Sequence, residues 1–387
     1  MAITVPSPYI QYGGIWTASQ QADAKAAGTW PSPPVPKLYA WGYNAFGQLG
    51  LGDTTNRSSP TQVGALNTWT NVAISYHSLV VQSNGTLWVW GRNQVGQLGL
   101  GNTTYYSLPK QLGALTNWSQ VSCSNNHSLA VKTDGTLWSW GYNVQGQLGL
   151  GTSGNYTNRS SPVQVGALTN WLSVSAAFYS SFAVKTNGTL WAWGLGAFGN
   201  LGFSNTSYYS SPKQVGSLTN WAMVSSKVYF TIAVKTDGTI WAWGRGANGS
   251  LGQGNTTYYS SPKQIGSLTN WLKAANGYAQ AIATKTDGTL WAWGANESGQ
   301  LGLGNTTSYS SPKQVGSLTD WSTPVCGRQF TLALKTNGTL WGFGQNSLAT
   351  LGDGTTTNRS SPVQIGSLTS WSVPASGYYS SLAIALN

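Results

Sequence analysis

The fifth of seven similar stretches reads TIAVK-TDG-TIWAWG from Thr231 to Gly244. In its second half Ile240 and Ala242 face one way and Trp241 and Trp243 the other. Both sets are apolar, which marks a strand buried on both faces. Asp237-Gly238 between the halves is a two-residue hairpin signal, because such a turn needs positive φ and Gly tolerates it. The signal recurs as Asn84-Gly85, Asp134-Gly135, Asn187-Gly188, Asp287-Gly288 and Asn337-Gly338. Downstream, Pro262 to Gly266 predicts a short outer strand, with Pro at its first position as suits an edge. The stretch opening at Trp271 predicts another strand.

Aligning on an aromatic-Gly pair gives Trp41-Gly42, Trp90-Gly91, Trp140-Gly141, Trp193-Gly194, Trp243-Gly244, Trp293-Gly294 and Phe343-Gly344, spaced by 49, 50, 53, 50, 50 and 50 residues. A fixed period of this length points to a propeller, solenoid or array. No unit sustains a 3.6 period, which excludes helical repeats. The first copy, Leu38 to Gly42, lacks a preceding hairpin, and the last stops after Ser381 to Ile384, where the hairpin would come. Each end supplies what the other lacks, so the C-terminal strand is expected to pair with the N-terminal strand. The fold class is therefore all-β: a seven-bladed β-propeller over residues 37–387 whose terminal strands close the ring. Closure removes the long exposed edges of an open array.

Of the 21 Trp residues, all but Trp16 and Trp30 fall in the repeats. Each can bury roughly 150–250 Å², so Trp41, Trp90, Trp140, Trp193, Trp243, Trp293 and the equivalent Phe343 are expected to pack between blades. Charged residues are only 7%, with a formal net charge of +11. Lysines recur at two registers, Lys110, Lys213, Lys263, Lys313 and Lys132, Lys185, Lys235, Lys285, Lys335, and read as solvated rim charges. Nucleic acid is not the expected partner.

Catalytic chemistry finds little support. His77 and His127 share one register and read as rim or channel imidazoles in structural hydrogen bonds, since a metal site needs three or four converging ligands. The acids sit singly, most of them in turns, and no pair suggests a general acid and base. The Gly-rich G-Q-L-G-L-G runs lack the strand-to-helix setting of a phosphate loop. Cys123 and Cys326 lie in distant units, too far apart for a disulfide, and read as reduced core residues. No enzyme activity, cofactor or metal is expected.

The pattern Trp90-Gly91-Arg92-Asn93 followed by Gly96-Gln97-Leu98-Gly99-Leu100-Gly101 closely resembles the regulator of chromosome condensation repeat family. The same pattern spans Trp140 to Gly151 and Trp41 to Gly52, and His127 to Gly135 matches a further segment. Later units diverge, as at Leu195-Gly196-Ala197. The resemblance covers residues 37–387 and implies a seven-bladed propeller. Its eukaryotic founder is an exchange factor for Ran that also binds nucleosomes, through long loops and a basic N-terminal tail. Here the one length change is about three residues near Thr152-Ser153-Gly154, and the first 36 residues carry one Lys and one Asp. Both devices look absent. A plant ultraviolet photoreceptor of this fold relies on charged dimer contacts, for which this chain has too little charge.

Residues 1–36 stand outside the repeat. Thr17-Ala18-Ser19-Gln20 matches a capping box and Gly28 a helix stop, which predicts one helix near residues 18–27. Trp30 to Pro36 reads as a stiff spacer. The N-terminus lacks a signal-peptide pattern, and no run of about 18 apolar residues would span a membrane. Arm and propeller together resemble proteins expected in marine phages. The expected function is a non-enzymatic structural or interaction protein of a virion, a capsid decoration or tail fibre component, assembled in the host cytoplasm. A cellular propeller scaffold or signalling protein in the cytoplasm is the alternative. The arm, with Tyr9, Tyr12, Trp16 and Trp30, is expected to dock to protein partners in a larger assembly. Tyr105, Tyr106, Tyr208, Tyr209, Tyr258, Tyr259 and Tyr309, in the loops before each Ser-Pro or Leu-Pro, are expected to contact a partner protein or a host-surface glycan.

Overall fold

The computed structural model describes residues 35–386. The helix expected at 18–27 and the aromatic residues of the arm lie outside the described residues. Seven four-stranded antiparallel sheets form the described residues. Blade one consists of Trp69–Ile74, His77–Gln82, Leu87–Gly91 and Tyr106–Gln111, in that order from the axis outwards. Blades two to six repeat this order. The first strand of each blade packs against the first strands of both neighbours, so these strands line the central channel.

Blade seven is assembled from both ends of the chain. Trp371–Ser376 and Ser380–Leu386 are its inner strands, and Pro36–Gly42 and Arg57–Asn67 its outer ones. Pro36 pairs with Leu386, and the register continues without a break to Gly42 with Ser380. The ring is closed as the complementary ends require.

In blades one to six the second strand is buried along its length and the third is buried at all but one position. That is the pattern of a sheet covered on both faces. Trp41, Trp90, Trp140, Trp193, Trp243, Trp293 and Phe343 are fully buried. Each indole reaches the blade before it. Trp90 Nε1 donates to the carbonyl of Gln48 at 2.8 Å, and Trp243 Nε1 to that of Asn200 at 2.8 Å. A second bond joins each loop to the next outer strand, from Gly52 N to Ser107 O at 2.9 Å round to Gly354 N to Ser58 O at 2.8 Å.

The repeated G-Q-L-G motif follows from this contact. Its second Gly, such as Gly149 at φ +73°, lies flat on the next blade's Trp193, where a Cβ would stand 2.8 Å from Nε1. The Asn of W-G-x-N holds the loop in shape. Asn93 Oδ1 accepts from Leu98 N at 2.9 Å while its Nδ2 donates to Asn102 O at 2.9 Å. Where Gly246 replaces this Asn, a short 3₁₀ turn forms instead.

Three expectations need correction. The outer strand of blade four is Tyr259–Gln264, with Pro262 inside it and not at its start. Its ladder breaks between Ala242↔Lys263 and Gly244↔Tyr259, so no pairing asks for the amide that Pro lacks. Lys132, Lys185, Lys235, Lys285 and Lys335 are not solvated rim charges but only 5% to 7% exposed. Lys185 Nζ stands 3.8 Å from the Trp191 ring centre and 4.6 Å from that of Trp171, with its apolar stem covered. Lastly, His77 and His127 sit between blades, not on the rim or in the channel. His77 Nε2 lies 2.7 Å from Ser128 Oγ of the next blade, and His127 Nε2 lies 2.9 Å from Ser181 Oγ.

The serine hydroxyls identify the tautomer. Ser128 Oγ gives its one proton to the Gln97 carbonyl at 2.8 Å, and Ser181 Oγ gives its own to Gln147 O at 2.8 Å. Each histidine must therefore donate from Nε2. Burial holds both imidazoles neutral and pushes them down to about 3.

Candidate functional site

The strand order places two kinds of connection at each end of the channel. At one end lie the Asn-Gly and Asp-Gly hairpins and the blade-to-blade links. At the other, the mouth, lie the turns between first and second strands and the loops between third and fourth strands. The two ends differ in chemistry. Hairpin carboxylates are bonded locally, as Asp287 Oδ1 is to Thr289 N at 2.9 Å. That bond type and the Thr289 hydroxyl, the leading cause, hold the Asp287 carboxyl below its usual range.

The mouth is aromatic and cationic. Tyr105 packs on Phe46 with ring centres 6.1 Å apart, Phe46 on Tyr76 at 5.3 Å, Tyr76 on Tyr378 at 5.6 Å, and Tyr378 on Tyr379 at 4.9 Å. Arg92 lies over Phe46 and Tyr76 at 5.4 and 5.7 Å. Arg328 lies among Tyr278, Tyr378 and Tyr379 at 5.1 to 5.5 Å, and its Nη1 donates to the Tyr379 hydroxyl. Across the opening Phe198 packs on Tyr229 at 5.0 Å and on Tyr258 at 5.8 Å, with Arg245 over the first two rings. Burial, and then the neighbouring phenols of Tyr378, Tyr379 and Tyr43, push Tyr76 up to about 12. Burial likewise raises Tyr378, so both phenols are neutral hydrogen-bonding and stacking surfaces near pH 7.

At the axis, Lys227 extends from blade four to blade seven, where its Nζ donates to the Ser376 carbonyl at 2.6 Å. Burial holds its ammonium below the usual lysine range. Burial also pushes the thiols of Cys123 and Cys326, both unbridged, up to about 12. Among the described residues no three His, Cys, Asp or Glu side chains converge as a metal site would need. His77 feels His127 and Arg92, and no carboxylate is among the groups acting on either histidine.

The loop tyrosines divide into two sets. Tyr105, Tyr208 and Tyr258 are 42%, 59% and 46% exposed, and Tyr105 and Tyr258 join the mouth clusters. Tyr106, Tyr209, Tyr259 and Tyr309 open the outer strands and are half-buried. Their hydroxyls accept from Asn102, Asn205, Asn255 and Asn305 at 3.1 to 3.4 Å. Lys213 and Lys263 stand 4.5 and 4.3 Å from the Tyr209 and Tyr259 ring centres. Tyr9, Tyr12, Trp16 and Trp30 lie outside the described residues.

Sequence reasoning passed over Tyr76, Arg92, Arg245, Arg328, Tyr378 and Lys227. The available signal was variability inside the repeat. The position after the aromatic-Gly pair holds Tyr43, Arg92, Tyr142, Leu195, Arg245, Ala295 and Gln345, whereas the core registers beside it hardly change.

Comparison with known proteins bears on the same residues. The profile of the regulator of chromosome condensation (RCC1) repeat matches seven times, at 37–81, 84–131, 134–184, 187–234, 237–283, 287–334 and 337–384. A second profile of that repeat matches 118–147 and 325–348. The structure of human WBSCR16 superposes with a TM-score of 0.82 at 21% identity, covering 91% of this chain and 99% of that one. Prp20p from Saccharomyces cerevisiae, characterised for binding to Gsp1p and histones, gives 0.80 at 17% identity over 92% of both chains. Yeast RCC1 (Prp20) bound by Kap60 gives 0.79 at 17% identity, covering 100% of this chain and 97% of that one. At these identities the likeness is one of fold. No curated protein matches the sequence.

Proposed function

The chain belongs to the regulator of chromosome condensation repeat family, and from that premise we propose that it is a non-enzymatic interaction module whose channel mouth receives a protein partner. One observation carries the reading: Arg92, Arg245 and Arg328 are stacked on tyrosine and phenylalanine rings at a solvent-facing opening. Arginine and tyrosine of this kind are enriched where a few residues dominate binding. Stacking also fixes the guanidinium before a partner arrives, which lowers the entropy cost of association. Similar propellers engage proteins, as the Gsp1p and histone binding of Prp20p illustrates. An exchange-factor-like role is the second reading this likeness suggests.

The finer reading places this module on a virion, with residues 1–36 as its anchor. It is supported by a composition poor in charge, at 7% charged residues, and by an N-terminal sequence that lies outside the repeats. Mass spectrometry of purified particles is its test, with cytosolic abundance and absence from particles as the contrary result.

The mouth reading is tested by crosslinking the full chain to its partners in the source cell. The combined variant Arg92→Ala, Tyr76→Ala and Tyr378→Ala is expected to lose a partner that wild type and Tyr208→Ala both retain. Equal capture by all three proteins would overturn it.

A further inference from the structure

Lys227 and Arg328 line one cavity, together with Ser124, Asn125, Phe178 and Tyr278. It occupies the axial mouth and measures about 360 Å³, a volume that includes space open to solvent. The Lys227 amine and the Arg328 guanidinium face this space, and among the described residues no carboxylate lines it.

The count of acids can be completed. Of eight acidic residues, Asp23 lies outside the described residues. Asp53, Asp320 and Asp353 are paired with Arg57, Lys335 and Arg359. Asp134, Asp237 and Asp287 are bonded to the threonines of their own hairpins, at the far end of the channel. Glu297 accepts from Asn248 at 3.1 Å in a peripheral loop. None of these seven is paired with Lys227, Arg328, Arg92 or Arg245. The ionisable groups that act on Lys227 are the Cys123 and Cys326 thiols, and those that act on Arg328 are phenols. Burial raises the two thiols and Tyr378, which are neutral near pH 7.

Burial disfavours the charged form of Lys227 beside the Arg328 guanidinium, and an anion in the recess would offset that cost. Lys227 has one carbonyl for a partner, and Arg328 has one phenol hydroxyl. The remaining donors of both groups have charge and hydrogen-bonding capacity in reserve. We propose that the axial cavity is an oxyanion site, in which one carboxylate or phosphate group is held between Lys227 and Arg328 against the rings of Tyr278 and Phe178. The inference deepens the reading of the mouth as the recognition face and rests on it. The group can be carried by a partner or arrive as a free small molecule; the recognised chemistry is the same.

The test titrates inorganic phosphate and acetate, separately, into the full chain by calorimetry at low ionic strength. The expected result is one saturable site per chain for at least one probe. Affinity should fall at least tenfold in Lys227→Met and in Arg328→Gln. It should be largely retained in Arg328→Lys, which keeps the charge, and in Lys313→Met, which removes a cation from an outer strand. Binding of phosphate alone identifies a phosphorylated ligand, and binding of acetate a carboxylate. No saturable binding of either probe, or binding that persists in both uncharged variants, would overturn the site. If Lys227→Met does not fold, Arg328→Gln and Arg328→Lys decide the matter alone. Partner capture lost in the Arg92, Tyr76 and Tyr378 variant but unchanged in Arg328→Gln, together with no saturable binding of either probe, would leave the recognition face standing and remove this site.

Discussion

The indole N–H of Trp41 donates to the carbonyl of Thr350 at 3.1 Å, joining residues 309 positions apart. Five other blades make the same bond within the continuous chain. Here it carries the ring across the gap between blade seven and blade six. The Thr350 carbonyl also accepts from Ser381 Oγ at 3.1 Å, so it has a second partner if the indole is lost.

Trp41→Phe should therefore cost about 0.5–1.5 kcal/mol, the net worth of one hydrogen bond, since the carbonyl stays satisfied. Blade six already uses Phe343 at this register, where Thr331 Oγ1 serves the Gln300 carbonyl at 2.9 Å. Trp41→Ala should cost about 3–5 kcal/mol by leaving a cavity. Urea unfolding of the two variants checks the ordering, and equal losses would show that the bond, not the packing, matters.

Gly352 has φ +76° and would place a Cβ 2.7 Å from the Trp41 ring, whereas Gly366 at φ +62° faces open space. Gly366→Ala should cost about 1–2 kcal/mol, the left-handed penalty alone. Gly352→Ala should add about 1–3 kcal/mol of overpacking. A thermal denaturation series that finds the two substitutions equivalent would contradict the described contact.

His77 and His127 are lowered to about 3 in the fold from about 6.5 unfolded. In that window the unfolded chain binds more protons, so stability is complete above about pH 6.5 and declines as pH falls towards 3. The slope should be about 1.4 kcal/mol per pH unit for each histidine. The double variant His77→Gln, His127→Gln should flatten the decline between pH 6 and 4. Gln280 holds this register in blade five. A variant profile parallel to wild type would refute the assignment.

Lys185→Ala should cost about 1–2 kcal/mol, because it removes a cation held between two indoles and a stem that covers them. Lys213→Ala, on an exposed outer strand, should stay within about 0.5 kcal/mol. The same pair of denaturation curves tests both statements.

Deleting residues 378–387 removes the strand that pairs with both Trp371–Ser376 and Pro36–Gly42. The expected product is aggregated, with two exposed sheet edges. Gel filtration showing a folded monomer would be the contrary outcome.

Fold and site were not equally legible. Alternating apolar runs, Asn-Gly and Asp-Gly turns and the complementary chain ends each act locally or by count, so they carry the ring on their own. The lysines of the Lys185 register misled because charge alone suggests solvent. Only the register opposite Trp171, two residues from the Trp191 partner, shows that the stem lies between rings. The histidines were placed in the right kind of bond but the wrong location, since Ser128 and Ser181 belong to the next repeat. The mouth was hidden for a different reason. Tyr76, Arg92, Arg328 and Tyr378 come from three blades and meet only when the first and last units are neighbours.

Blade seven also has a bearing on synthesis. Six sheets can form as the nascent polypeptide leaves the ribosome, each from contiguous segments. The seventh must wait, because its two outer strands are made first and its two inner strands last. Until then Pro36–Gly42 lacks its inner neighbour, and the first and sixth sheets each lack one flank. A product interrupted early cannot pass as finished, so the architecture makes lasting solubility conditional on translation through Leu386.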